Sequence, residues 1–392
     1  MSSSERPKNF GFGPDEEMLR DVARKFLSEN LPVEKLRRLV AADSEATYER
    51  GERPPWDEGL WKQIVELGWP ALAVPEADGG HGFKLVGIAA LVEQVGRHAL
   101  PSPLIATLGA TLVLREAGAG SWLGRIADGL SASLAITDAN GSWEPGDCGV
   151  TATDTPDGLV LSGSAHFVQD AFKADVFVST ARRGDELLLC VVPADASGLE
   201  LCQDHIHDLT RDQATLRFDG LRVPSENVVS EDAAAVLGRA WPALLAIVSA
   251  DLCGTSEWQL QTTVQYAQQR IQFDHPLGFF QAVKHPLVDA MVGIDRARAL
   301  LYSAASAIDT GAADAESAAR MAKSAASDVG AFISSRSVQL HGGVGFTWES
   351  DVHLFFKRSM HNQALYGDGV HQRRKLADQL IGPVGGGGGS PR

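Results

Sequence analysis

Cysteine is scarce. The 392 residues hold four, Cys148, Cys190, Cys202 and Cys253, in no CxxC spacing. That argues against a disulfide framework and for reduced thiols in a cytoplasmic compartment. Basic charge is short too: 35 Lys and Arg stand against 50 Asp and Glu, for a formal net charge of −15. A surface of that sign repels a phosphate backbone, so nucleic acid is not expected as a partner. It still permits an anionic ligand held by a few local arginines. No stretch reaches the roughly 18 consecutive apolar residues of a membrane span. The N-terminal Met1-Ser-Ser-Ser-Glu-Arg6 has no apolar leader core, so neither export nor membrane insertion is expected. None of the eleven histidines stands at i, i+4 from another beside an acid, and no metal site is expected. Internal repeats are absent.

A hydrophobic content of 44% with 22% charged residues is that of a globular protein, and the length exceeds one ordinary core. The chain divides by its periodicity. Residues 1–128 read as helical: Pro14-Asp-Glu-Glu17 is a helix start, followed by Met18, Leu19, Val22, Ala23, Phe26 and Leu27 at helical spacing. Leu60, Trp61, Ile64 and Val65 mark a second helix that stops at Gly68, and the glycine-dense 74–82 must be loop. Over 129–231 the period shifts to short apolar runs (159–161, 175–179, 187–192, 215–218) separated by turn residues at 156–158, 183–185 and Asp219-Gly220. Helices are expected again within 232–383, at 232–269, 281–310, 314–340 and 369–381. The glycine run of 384–392 reads as a disordered tail. The order helical, β, helical predicts an α+β multidomain fold: an N-terminal helical domain, a middle β-barrel and a C-terminal four-helix bundle.

Two polar stretches stand out from this pattern. Arg270-Ile-Gln-Phe-Asp-His-Pro-Leu-Gly278, with Gln281 close behind, concentrates an arginine, an aromatic and amides between two helices. Gln339-Leu-His-Gly-Gly-Val-Gly345 ends a helix on two consecutive glycines, Gly342 and Gly343. A guanidinium can pair bidentately with a phosphate, and glycine backbone can approach one with no Cβ in the way. Each stretch also has a plainer reading, as a cation or a glycine ending a helix.

Together with Leu67-Gly-Trp-Pro-Ala-Leu-Ala-Val-Pro-Glu-Ala-Asp-Gly-Gly-His-Gly82 and Gly163-Ser-Ala-His-Phe-Val-Gln-Asp-Ala171, these motifs resemble, in order and over nearly the whole chain, the flavin-binding acyl-CoA dehydrogenase family. The resemblance implies FAD as cofactor, bound by Arg270, Phe273, Gln281, Gln339, His341, Gly342 and Gly343. Thr137, Phe167 and Gln169 would stand against the flavin ring. Gln169 replaces the family's hydroxyl there, and Asp368 stands where the family contacts FAD through one. It implies α,β-dehydrogenation of an acyl-CoA thioester, with electrons passed to an electron-transfer flavoprotein, in a homo- or heterotetramer. The reaction needs a carboxylate base near the α-carbon, and the family's usual glutamate position holds Tyr366. Three readings stay open: Asp251, a lone acid on an apolar helix whose pKa burial should raise; Asp368; or no base in this chain. Gly367-Asp-Gly-Val-His371 is similar to the sterol side-chain-degrading branch. That implies a bulky, steroid-derived substrate and α2β2 assemblies in which one of two related chains supplies the base. An oxidase-like use of the flavin is a further alternative.

Overall fold

The computed structural model describes residues 9–41, 56–141, 143 and 146–382. Ser142 and the 384–392 tail lie outside them. Helices α1 (Pro14–Asn30), α2 (Val33–Ala41), α3 (Glu58–Glu66), α4 (Leu85–Arg97), α5 (Leu104–Ala117) and α6 (Gly120–Ala127) come first. Pro14 opens α1 with acids in its first turn, and Asp57 caps α3 by accepting the Leu60 N–H at 2.9 Å. Eight strands follow: β1 (Ala132–Ala135), β2 (Val150–Thr155), β3 (Gly158–Gln169), β4 (Val176–Arg183), β5 (Glu186–Pro193), β6 (Leu199–Gln203), β7 (Gln213–Pro224) and β8 (Val228–Ser230). The helical region resumes as α7 (Ala233–Gln269), a short hairpin of β9 (Ile271–Gln272) and β10 (His275–Pro276), α8 (Gln281–Asp309), α9 (Ala315–His341), α10 (Val352–Ala364) and α11 (Gly369–Ile381).

The strands form one mixed sheet in the order β6-β7-β3-β2-β4-β5-β8, with β1 parallel to β4. Val176, Val178, Leu187, Leu189 and Val191 face the core shared with the helices, while Phe177, Leu188, Cys190 and Val192 face a second core of the sheet itself. Burial on both faces is why β4 and β5 read as unbroken apolar runs. Asp219-Gly220, expected as a turn, lies within β7. Between the pairs Leu161↔Leu221 and Gly163↔Phe218 that strand carries one extra residue, a bulge that Gly220 accommodates at φ 61°.

Among the helices α7 is the axis. Its length and apolarity would suffice to cross a membrane, yet 78% of its most apolar window is buried inside the fold. It crosses α4 at two glycines: a Cβ on Gly254 would sit 2.0 Å from the Glu93 carbonyl oxygen, and one on Gly96 would sit 2.3 Å from the Asp251 carbonyl oxygen. Helix α10 is absent from the sequence expectation because its buried face mixes Val352, Leu354 and Phe355 with His353, Arg358, Ser359 and Asn362. Polar groups interrupt the apolar stripe, so no clean helical period can be read.

Candidate functional site

Where the sheet meets α5 and α7 there is an internal cavity of only about 30 Å³. Its wall comprises Ile105, Ala106 and Gly109 of α5, Ser133, Leu134, Ile136 and Thr137 around β1, Phe167 and Gln169 of β3, Leu244, Ile247 and Val248 of α7, and Trp143, Arg211, Leu365 and Tyr366. The wall is apolar except for a few polar groups, the usual make-up of a small-molecule site. Tyr366 enters it from the connection between α10 and α11. Its backbone is left-handed at φ 57°, and its ring meets Trp143 at 5.4 Å and Trp241 at 5.2 Å, edge to face in both. The Lys323 ammonium fastens this connection by donating to the carbonyls of Asn362 (3.1 Å), Gln363 (2.9 Å) and Gly367 (3.1 Å). Burial holds the Tyr366 phenol near 12, so it stays protonated.

Thr137, Phe167 and Gln169, expected at a flavin ring, are brought together in this wall. The Thr137 hydroxyl has no hydrogen-bond partner among the described residues and stays available to a ligand. Gln169 is fully engaged: its amide donates to the Phe167 carbonyl (3.0 Å) and to Gln213 Oε1 (2.8 Å), and its oxygen accepts from His361 Nε2 (2.6 Å). With both N–H groups used inside the protein, Gln169 has none to offer to a ring in the cavity. Burial keeps His361 neutral by lowering its pKa. Sequence reasoning missed Trp143, Arg211 and His361, which stand in stretches without motif character.

The second expected set lies apart from the cavity, at one end of the bundle. Tyr266, one turn before Arg270, stacks on His341 at 4.2 Å, and Thr263 Oγ1 meets Ser337 Oγ at 2.6 Å. These contacts join the end of α7 to the end of α9 and so unite the two polar stretches. Arg270, Gln281, Gln339, Gly342 and Gly343 are exposed, and no described carboxylate pairs with the Arg270 guanidinium. Nothing lies within 4 Å of a Cβ built on Gly342 or Gly343. Phe273 is 83% exposed at the tip of the β9–β10 hairpin, where it and Asp274 adopt φ 53° and 63°. A free arginine, bare glycine backbone and a projecting aromatic fit an anionic, aromatic cofactor such as FAD. No residue of this set lines the cavity that holds Thr137, Phe167 and Gln169.

The pKa expected for Asp251 needs correction. Asp251 does not line the cavity. Fully buried, it accepts from Arg358 Nε (3.0 Å), Arg211 Nη2 (2.7 Å) and Asn362 Nδ2 (2.7 Å). Burial alone would raise its pKa, but the two guanidinium groups outweigh it and hold the carboxyl below the ordinary range. The expected rise is thus reversed, because the partners come from distant segments. Arg211 also pairs with Asp170 at 2.9 Å, and Lys173 bridges Asp170 and Asp212 at 2.7 Å each. The cluster fastens the sheet to α7 and α10. Asp368 is outside the cavity wall as well; its Oδ1 accepts the His371 N–H at 2.8 Å and caps α11.

Family models for the acyl-CoA dehydrogenase N-terminal and C-terminal domains match residues 13–129 and 246–381. The chain is 31% identical over 372 residues to acyl-CoA dehydrogenase IpdE2 of Mycobacterium tuberculosis, covering 94% of this chain and 98% of that one. Among solved structures it is similar to a variant of the Tcur3481-Tcur3483 steroid ACAD, with a TM-score of 0.81, 28% identity and coverage of 94% and 98%. The glutaryl-coenzyme A dehydrogenase–glutaryl-CoA complex has the same fold, with a TM-score of 0.83 at 22% identity over 95% of this chain and 96% of that one.

Proposed function

The chain belongs to the acyl-CoA dehydrogenase family of flavin-dependent oxidoreductases, whose cofactor is FAD, and we propose that it serves as one of two related subunits of a heterotetramer that desaturates a bulky acyl-CoA thioester. The carrying observation is that, among the described residues, the wall of its own cavity contains no aspartate, glutamate or histidine. A thioester α-proton does not leave without a positioned base. Arg211 is permanently cationic, the Tyr366 phenol is held near 12, and Asp251 and Asp368 are spent on an ion-pair cluster and a helix cap. A free volume of about 30 Å³ admits a water or two but no acyl chain, with Tyr366 and Trp143 in the way.

When bound, the flavin accepts the β-hydride. This chain's part in that chemistry is binding: Arg270 neutralises the cofactor's phosphates, Gln281 and Gln339 donate amide hydrogen bonds, and Gly342 and Gly343 leave its backbone approachable. Phe273 packs against the partner side. The related chain supplies the acyl cavity and the base, and an electron-transfer flavoprotein takes up the electrons. A steroid-derived acyl group is the leading substrate class, since the 28% identical structure is a steroid ACAD named for two chains.

The test is the visible spectrum and turnover of the chain purified alone and co-purified with a related family member. Alone, it is expected to be colourless and inactive. The pair is expected to carry oxidised flavin, which Arg270→Ala releases. Stoichiometric FAD together with acyl-CoA turnover from this chain alone would overturn the reading.

A further inference from the structure

A second cleft, of about 460 Å³, opens between the start of α1, α4, α7 and α8, and shares no residue with the cavity lined by Thr137 and Tyr366. Arg20, Arg24, Arg97 and Arg298 face it together with Asp21, Glu93 and Glu257. The carboxylates are already taken. Arg298 donates to Glu93 at 2.6 Å and to Glu257 at 3.0 Å, Tyr302 donates to the other Glu93 oxygen at 3.1 Å, and Arg20 pairs with Asp21 at 2.9 Å. Two cations are left over. Arg97, partly buried, donates a side-chain hydrogen bond only to the side-chain oxygen of Gln261 among the described residues. Arg24 has no hydrogen-bond or ion-pair partner among the described residues. Burial, and after it the like charge of Arg24, pull the Arg97 pKa down against the opposing attraction of Glu257 and Glu93. The three carboxylates of the cleft are engaged by Arg20, Arg298 and Tyr302, so neither Arg24 nor Arg97 has one within ion-pair distance among the described residues. A half-buried guanidinium satisfied only by an amide, beside a second free one, is a receptor for an oxyanion.

Aromatic rings flank the same cleft. Phe12 meets Tyr302 edge to face at 5.4 Å, Arg20 lies over the Phe12 ring at 5.5 Å, and Phe10 lines the cleft with its backbone at φ 58°. The volume falls in the range of small-molecule sites, roughly 300–1,000 Å³. We propose that this cleft binds a phosphorylated small molecule of nucleotide type, its phosphates on Arg24 and Arg97 and its ring against Phe10, Phe12 and Tyr302. The site is independent of the flavin reading, because none of its residues belongs to the flavin-binding set.

The experiment is isothermal titration of the FAD-saturated assembly with ADP and with inorganic pyrophosphate. One ADP is expected per copy of this chain, bound more tightly than pyrophosphate. Arg97→Gln and Arg24→Gln should each weaken ADP at least ~10-fold, the loss of one charge-assisted contact. Arg374→Gln, exposed on α11, should leave binding unchanged, and circular dichroism checks that each variant is folded. Absence of saturable heat with both probes overturns the proposal, as does ADP binding that survives both variants. Binding lost in Arg270→Ala but kept in Arg97→Gln would put ADP at the flavin edge instead and equally refute the cleft.

Discussion

Asp251 and Tyr366 owe their roles to what surrounds them. Asp251 is 0% exposed and takes charged donors from both Arg211 and Arg358. Removing one partner from such a buried cluster costs about 3–5 kcal/mol, since the opposite charges lose their counter-ion. Asp251→Asn should therefore lower the stability measured by urea unfolding by that amount, and any loss of turnover should follow from the lost fold. A variant as stable as the parent but a hundredfold slower would restore Asp251 as a base. Tyr366 stands where the resemblance implies a glutamate, and its left-handed backbone persists because Lys323, Trp143 and Trp241 hold the connection around it.

Between elements, the crossing of α4 and α7 decides whether the site assembles. The Gly254 position admits no side chain, since the Glu93 carbonyl and the Arg97 N–H lie 2.0 and 2.6 Å from a Cβ built there. Gly254→Val should force the helices apart and cost about 3 kcal/mol, the upper end of ordinary overpacking. Gly238, on the same helix, has nothing within 4 Å of its Cβ position. There Gly238→Ala should raise thermal stability by about 0.5–1 kcal/mol, as alanine restricts the unfolded chain and suits a helix. Thermal unfolding of the two variants is the measurement. Equal responses would mean that the α4–α7 contact is looser than the geometry requires.

Across the whole molecule, buried neutral histidines make the fold sensitive to acid. Burial, reinforced by Lys357, lowers His353 to about 4, and neither ring nitrogen has a hydrogen-bond partner among the described residues; burial also lowers His361 and His341. Unfolded histidine titrates near 6.5. Between that value and the folded pKa the unfolded state binds more protons, so stability rises with pH. The melting temperature should fall as pH drops from about 6.5 towards 4, and His353→Phe should flatten part of that slope. A parent and variant with parallel profiles would show that His353 is not buried neutral. Carboxylates such as Asp251 add their loss only below about pH 4, where unfolded aspartate begins to hold its proton.

Much of this protein was legible along the chain. Period 3.6 and period 2 separate its helical and β regions, glycine and proline mark where most elements stop, and local polar runs at 270–281 and 339–343 mark the proposed cofactor-binding edge. These are short-range signals, carried by neighbours within a few residues. What the tertiary structure decided is long-range. It turned Asp251 from a lone acid into the centre of an ion-pair cluster by bringing Arg211 and Arg358 to it. It joined the ends of α7 and α9 through Tyr266 and His341, buried α10 on a mixed polar and apolar face, and closed the cavity with Tyr366 and Trp143. A charge's partner and a cavity's volume depend on residues far apart along the chain, often a hundred or more positions, and no local pattern records them.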